Sequence, residues 1–220
     1  MFETVKANLL RIQEEIAPYK PNIIAVTKYF GTDAVIAAYQ AGLRDFGESR
    51  ALEAIDKINQ LPEEIRKNSH FHFIGHLQGN KVKKVVKYFE FIHSVDSLKL
   101  AQRISAEALA EGKVQKIFLQ LNIAGEEQKF GYSKEILLKD FEDIQNLDGV
   151  KVAGVMCMTP LNAPDNVLER LFREAEDTRK TLENKFDCKL PELSMGMSQD
   201  YKLAAMNGAT RLRIGRKLFG

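Results

Sequence analysis

One pattern constrains this chain more than any other. Short β-rich runs alternate with amphipathic stretches along the whole sequence. The β-like runs are 23–27, 45–47, 71–74, 91–95, 116–122, 151–158, 192–194 and 211–214. Two of them, Asp45–Gly47 and Glu192–Ser194, are weak by propensity alone and are accepted because helical stretches flank them at the right distance. Between the runs the apolar spacing becomes helical. Thr32–Ala41 opens on Thr32 and Asp33 as cap residues and stops at Gly42. Ser49–Asn59 sets Leu52, Ile55 and Ile58 on one stripe, and Lys81–Tyr88 carries Val82, Val85 and Val86. Ser97 caps a helix holding Leu98, Leu100, Ile104 and Leu109, and Ser133 caps Lys134–Gln145. Asp165 opens a long helix through Leu182, and Ser198 caps a short one that ends at Asn207-Gly208.

Strand–helix–strand crossovers keep strands parallel, and eight such units predict closure into a (β/α)8 barrel. An open doubly wound sheet competes, but its G-x-G-x-x-G turn is absent, as is the G-x-x-x-x-G-K-[ST] phosphate loop. Only Arg216–Gly220 follow the eighth run, too few for a closing helix. A helical stretch instead precedes the first, with Val5, Leu9, Ile12 and Ile16 on one face. This N-terminal helix is expected to cover the flank that a C-terminal helix would otherwise cover.

A single domain over residues 1–220 is expected, since barrels of this class reach about 250 residues. Lys plus Arg number 32 against 30 Asp plus Glu, so the basic excess of a nucleic-acid-binding domain is missing. Cys157 and Cys188 cannot build a disulfide framework or a zinc cluster. Residues 1–10 include Glu3 and Lys6 and do not read as a signal peptide, and the longest apolar run, Val152–Met158, is too short to span a bilayer. A cytoplasmic protein is expected.

In such barrels the active face lies at the carboxyl ends of the strands. Alternation puts Ile24, Val26 and Lys28 on one side of the first strand. If that side faces inward, Lys28 stands at the mouth over apolar walls, where desolvation leaves an amine nucleophilic. On spacing alone, a solvated strand-end lysine is the simpler reading. The seventh strand ends Met195-Gly196-Met197-Ser198 before a helix, and the eighth ends Arg213-Ile214-Gly215-Arg216. Loops after strands seven and eight are the usual phosphate site of this barrel class. Leu212 and Ile214 suit the helix side, so Arg211 and Arg213 point inward, where Arg213 needs an acceptor. That acceptor is a ligand or an interior carboxylate such as Glu48 or Asp96. His70, His72 and His76 could hold a metal, but the further ligands of a metal-dependent hydrolase are not found at later strand ends. His76, Gln78 and Asn80 read better as polar loop residues at the mouth, and Cys157 as a core residue of the sixth strand. Lys81, Lys83, Lys84 and Lys87 read as a solvated helix face.

Taken together, several segments resemble one family. They are Ile24-Ala25-Val26-Thr27-Lys28, Phe46-Gly47-Glu48, His72-Phe73-Ile74-Gly75 with Leu77-Gln78 and Asn80-Lys81, His93-Ser94-Val95-Asp96, Leu193–Ser198, and Arg213-Ile214-Gly215 ending in Phe219-Gly220. In this order, from about residue 20 onward, they are similar to the pyridoxal phosphate homeostasis proteins. The resemblance implies a single-domain barrel like the N-terminal domain of alanine racemase, of the fold-type III kind, with pyridoxal 5′-phosphate (PLP) at its mouth. It implies Lys28 as the Schiff-base lysine, Ser198 with the backbone of Gly215 and Arg216 as phosphate holders, and Arg213 facing the pyridine nitrogen. Ser49, His76, Gly79 and Arg216 depart from the family's usual residues. An arginine at the ring nitrogen disfavours pyridinium formation and weakens the ring as an electron sink. Alanine racemase also needs a tyrosine base carried by a second domain, which this length does not accommodate. The expectation is therefore a monomeric carrier that buffers PLP or delivers it to PLP-dependent apoenzymes, with no metal and no membrane or nucleic-acid partner. A one-domain PLP-dependent racemase or lyase is the alternative.

Overall fold

The computed structural model describes residues 1–125 and 130–220. Eight parallel strands close on themselves in chain order, β1 pairing with both β2 and β8. They are β1 (Asn22–Val26), β2 (Asp45–Glu48), β3 (His70–Phe73), β4 (Phe91–Val95), β5 (Gln115–Leu121), β6 (Val150–Cys157), β7 (Glu192–Met197) and β8 (Arg211–Ile214). The helices are α1 (Phe2–Ile16), α2 (Thr32–Gln40), α3 (Ala51–Gln60), α4 (Glu63–Lys67), α5 (Val82–Tyr88), α6 (Leu98–Ala110), α7 (Lys134–Gln145), α8 (Asp165–Phe186), α9 (Tyr201–Met206) and α10 (Arg216–Phe219). The (β/α)8 barrel and its leading helix are as the alternating pattern predicts. Every expected strand is present, with ends displaced by a residue or two except in β7, which runs three residues longer.

Alternation sorts the strand residues into two layers. Phe46, Phe71, Phe73, Ile92, Ile117, Leu119, Leu193, Leu212 and Ile214 join the helices in one continuous apolar layer. Inside the barrel, Phe91, Phe118, Ala153 and Met156 form a small separate cluster. Apart from Ile24 and Val26 of β1, much of the remaining lumen is polar. His72, His93, Ser194, Arg211 and Arg213 are all buried there. Gly154 is required at the β6–β7 pairing, because a Cβ would lie 1.7 Å from the Glu192 carbonyl oxygen.

α1 buries Val5, Leu9, Ile12 and Ile16 and packs on α2, α9 and α10. Its Asn8 Nδ2 donates to the carbonyls of Leu218 (3.0 Å) and Gly220 (3.1 Å), so the N-terminal helix does cover the flank beside β8. The last residues nevertheless form the short α10, which the pattern left unassigned. Other local expectations differ. Leu52 and Leu109 are exposed rather than on the packed stripes of α3 and α6. Ser97 and Ser133 cap α6 and α7 through Leu100 N–H and Ile136 N–H, whereas Gly31, not Thr32 or Asp33, precedes α2.

Candidate functional site

A cavity of about 830 Å³ opens at the carboxyl ends of the strands. That size is ordinary for a small-molecule site, about 300–1,000 Å³. The five residues singled out from the sequence, Lys28, Ser198, Arg213, Gly215 and Arg216, all line it. The remaining wall is mostly apolar, from Val26, Ile74, Met158 and the β6–α8 loop around Leu161.

Lys28 lies two residues beyond the end of β1 and is half-buried. Its Nζ lies 5.0 Å from the centre of the Tyr29 ring, and no hydrogen bond or ion pair engages it among the described residues. The backbone just before it is held firmly. Thr27 Oγ1 donates to Glu48 Oε1 (2.7 Å), and Lys57 of α3 donates to the same oxygen (2.7 Å) and to the Thr27 carbonyl (2.8 Å). Lys57 escaped sequence reading, since nothing in the spacing of α3 marks one lysine as reaching into the barrel.

Ser198 does not cap a helix. α9 starts at Tyr201 behind Asp200, whose carboxylate accepts from Met197 N–H (2.6 Å) and from the Thr159 hydroxyl. The Ser198 hydroxyl instead accepts from the backbone N–H groups of Gly215 (3.3 Å) and Lys217 (3.2 Å). It therefore stands where the β7–α9 loop meets the first turn of α10, beside donors that favour an anion. Gly215 allows close approach to β1, with the Val26 carbonyl oxygen 3.3 Å from where a Cβ would sit. Gly196 has φ +86°, and a Cβ there would lie 2.4 Å from Ala204 Cβ, so the turn into this loop requires glycine.

Arg213 points inward, as alternation predicts, but neither Glu48 nor Asp96 is its acceptor. Glu48 is engaged with Thr27 and Lys57, and Asp96 lies 3.5 Å from His76 Nδ1. Arg213 Nη1 donates to Ser194 Oγ (2.7 Å) and Nη2 to the Cys157 carbonyl (2.8 Å). Burial lowers its pKa from the usual arginine value, yet it remains a cation. Arg211, two residues back, reaches Asp45 (3.1 Å) and Glu192 (2.8 Å) at the other end of the barrel.

Cys157 is fully buried, and burial pushes its thiol up to about 12, which fits a packing role. The histidines do not converge on a metal position among the described residues. His76 and Gln78 line a separate, smaller hollow with Ser49 and Lys81 rather than the cavity around Lys28. No helix of the described residues is long and apolar enough to cross a membrane.

Residues 2–220 match the sequence profile of the family described as alanine racemase, N-terminal domain. A pyridoxal phosphate homeostasis protein of Synechocystis is 38% identical over 209 residues, covering 94% of this chain and 95% of its own. The chain belongs to the pyridoxal phosphate homeostasis protein family. A solved structure, that of PipY of Synechococcus elongatus, is 34% identical and superposes with a TM-score of 0.92 without PLP and 0.89 with PLP bound, over 98% of this chain and 100% of PipY. An alanine racemase of Clostridium difficile shares the fold at 14% identity and a TM-score of 0.78, matching 99% of this chain and 56% of the racemase. Family members therefore share this barrel over nearly their whole length, whereas the racemase extends well beyond it.

Proposed function

We propose that this chain binds PLP at the barrel mouth and serves its intracellular homeostasis, buffering the cofactor or delivering it without robust turnover of its own. The observation that carries the reading is the convergence of Lys28, Ser198, Arg213, Gly215 and Arg216 on one cavity. The donor set suits the group. Among the described residues, an amine with no hydrogen bond or ion pair faces the cavity, backbone N–H groups gather beside Ser198, and a buried cation with no carboxylate hydrogen bond lies at the floor. Lys28 would hold PLP covalently, Ser198 with the backbone of Gly215 and Arg216 would hold its phosphate, and Arg213 would face the ring nitrogen. PLP supplies an aldehyde for amines and a ring that withdraws electrons. Arginine offers the ring nitrogen only donors, which keeps that nitrogen unprotonated and the electron withdrawal weak.

The cavity wall also argues against efficient turnover. Among the described residues it carries no histidine, glutamate or cysteine, and its one tyrosine, Tyr29, is the mostly exposed neighbour of Lys28, with its ring 5.0 Å from the Lys28 amine. Of its two carboxylates, Asp200 is engaged through both oxygens, which leaves Asp165 at the start of α8. We further propose a monomer acting in the cytoplasm, with PLP-dependent apoenzymes as recipients.

The absorbance spectrum of the purified protein, with and without added PLP, tests the reading. Wild type is expected to be yellow or to become so, and Lys28→Ala to lose that band. A protein that takes up no PLP overturns the proposal. Racemisation or elimination of an amino acid at about 1–10³ per second, typical of enzymes, would favour the racemase or lyase alternative. Arg213→Glu is expected to change the spectrum more than Arg211→Glu, because only Arg213 lines the cavity.

A further inference from the structure

A string of buried polar groups runs behind Arg213 through the barrel. Ser194 Oγ, which accepts from Arg213, lies 3.0 Å from His93 Nδ1. His93 Nε2 lies 2.9 Å from His72 Nδ1, and His72 Nε2 lies 2.8 Å from Asp45 Oδ1. The members come from β8, β7, β4, β3 and β2 in turn. His72, His93 and Ser194 have no solvent exposure. The His72 ring stacks on Phe91 at 4.5 Å and the His93 ring on Phe118 at 4.0 Å, which holds both ring planes.

With both histidines neutral, the chemistry of the carboxylate end fixes the direction of every bond back to Ser194. A guanidinium only donates and a carboxylate only accepts. Ser194 accepts from Arg213 with a lone pair, which leaves its single proton available to His93 Nδ1. A neutral His93 must then carry its proton on Nε2 and give it to His72 Nδ1. His72 in turn carries its proton on Nε2 and gives it to Asp45. Asp45 settles that order: with both histidines neutral, His72 must give its Nε2–H to the carboxylate, which leaves His72 Nδ1 to accept from His93 Nε2–H and His93 Nδ1 to accept from Ser194. Both histidines thus use both nitrogens, one as acceptor and one as donor; a second proton on His72 Nδ1 would face the His93 Nε2–H, and one on His93 Nδ1 would make the Ser194 hydroxyl turn its own proton away. Burial drives both toward the neutral form, His93 most strongly, although Asp45 pulls His72 the other way.

We infer that Ser194, His93, His72 and Asp45 form a one-way hydrogen-bonded string that positions Arg213 at the cavity floor. Its members touch no ligand; they act through Arg213. The string makes Ser194 an obligatory acceptor, so one amino group of the guanidinium is held from behind while the Cys157 carbonyl holds the other. The consequence for a ligand rests on the proposed PLP reading. An Arg213 that is fixed in place meets the pyridine nitrogen as a preset donor, and a loosened one does not.

Two measurements separate this inference from that reading. In the ligand-free protein, nitrogen-15 NMR of the imidazoles should show His72 and His93 neutral with the proton on Nε2 at neutral pH. An Nδ1–H form or an imidazolium at either position overturns the string, whether or not PLP binds. With PLP, His93→Phe should weaken binding about tenfold, the loss expected when a hydrogen bond to a charged group is disturbed, and should shift the visible band. His93→Gln, which keeps an acceptor and a donor, should recover most of both. Should His93→Phe fail to fold, Ser194→Ala removes the acceptor at little cost in volume and should give the same spectral shift. Unchanged affinity and spectrum in the folded variant overturn the positioning role. Wild type that takes up no PLP defeats the proposed function, while the tautomer measurement still decides the string.

Discussion

Ser198 shows how one hydroxyl joins two loops. It accepts from Gly215 and Lys217, nineteen or fewer positions along the chain, and so ties the end of β7 to the start of α10. Ser198→Ala leaves those N–H groups without their acceptor and removes one polar contact from the proposed phosphate position. PLP affinity should fall about fivefold to tenfold, in line with one hydrogen bond to a charged group, with the yellow band retained because Lys28 is intact. A spectrophotometric titration checks this, and an unchanged dissociation constant would take Ser198 out of the site. The residue was legible in the sequence as a polar group after β7, but its partner was not. Cap preference is a property of residue type, whereas the turn into α9 is completed by Asp200.

At the scale of elements, α1 and α10 act as a pair. Four buried apolar residues of α1 face the barrel flank, and Asn8 binds the last carbonyls of α10. Ile12 is fully buried, so Ile12→Ala should destabilise the fold by about 2–5 kcal/mol, the range for large-to-small changes in a core. Because Lys217 of α10 and Gly215 just before it give their N–H groups to Ser198, the same variant should bind PLP more weakly. Urea denaturation together with a PLP titration reads both effects, and a loss of stability with unchanged affinity would uncouple α1 from the site. The covering role of α1 was legible from its apolar stripe and from the shortness of the segment after β8. β2 and β7 were legible only through their neighbours, because Asp45-Phe46-Gly47-Glu48 has little strand propensity and is held by parallel pairing on both sides.

For the whole molecule, the buried histidines link stability to pH. His72 and His93 have folded pKa values below the ordinary histidine value, from burial first and then from the facing charges. Arg211 and His70 lower His72 further while Asp45 opposes; for His93, the facing groups are His72, Arg213 and Arg211. The unfolded chain therefore binds more protons than the fold below about pH 6.5. Stability is fully present above that pH and is lost as pH falls through it toward the folded values, at up to about 1.4 kcal/mol per pH unit for each proton. Burial raises the folded pKa of Asp45, but the hydrogen bond from His72 and the facing cationic groups outweigh it and leave it lowered, so Asp45 adds a further loss in more acidic solution. Denaturation midpoints at pH 7.5 and 5.5 should differ in wild type, and His93→Gln should flatten the slope. Equal slopes would mean that His93 titrates alike in the folded and unfolded chain.

Periodicity by itself determined the eight repeating units, the two faces of each strand and the leading helix. It also placed Lys28, Ser198, Arg213, Gly215 and Arg216 at strand ends one, seven and eight, while only the family resemblance joined them into one PLP site. Those are local properties, set by alternation and by the chain turning back at each strand end. Only the closed barrel decided what those residues meet. Which side chains share a height in the lumen depends on the register of every strand, and the register shifts between Ile92 and Val95 and between Ser194 and Met197. Those shifts accompany the meeting of Ser194 with His93, 101 positions apart, and of Arg211 with Asp45, 166 apart. Alternation says that a residue points inward; closure says which neighbour it finds there.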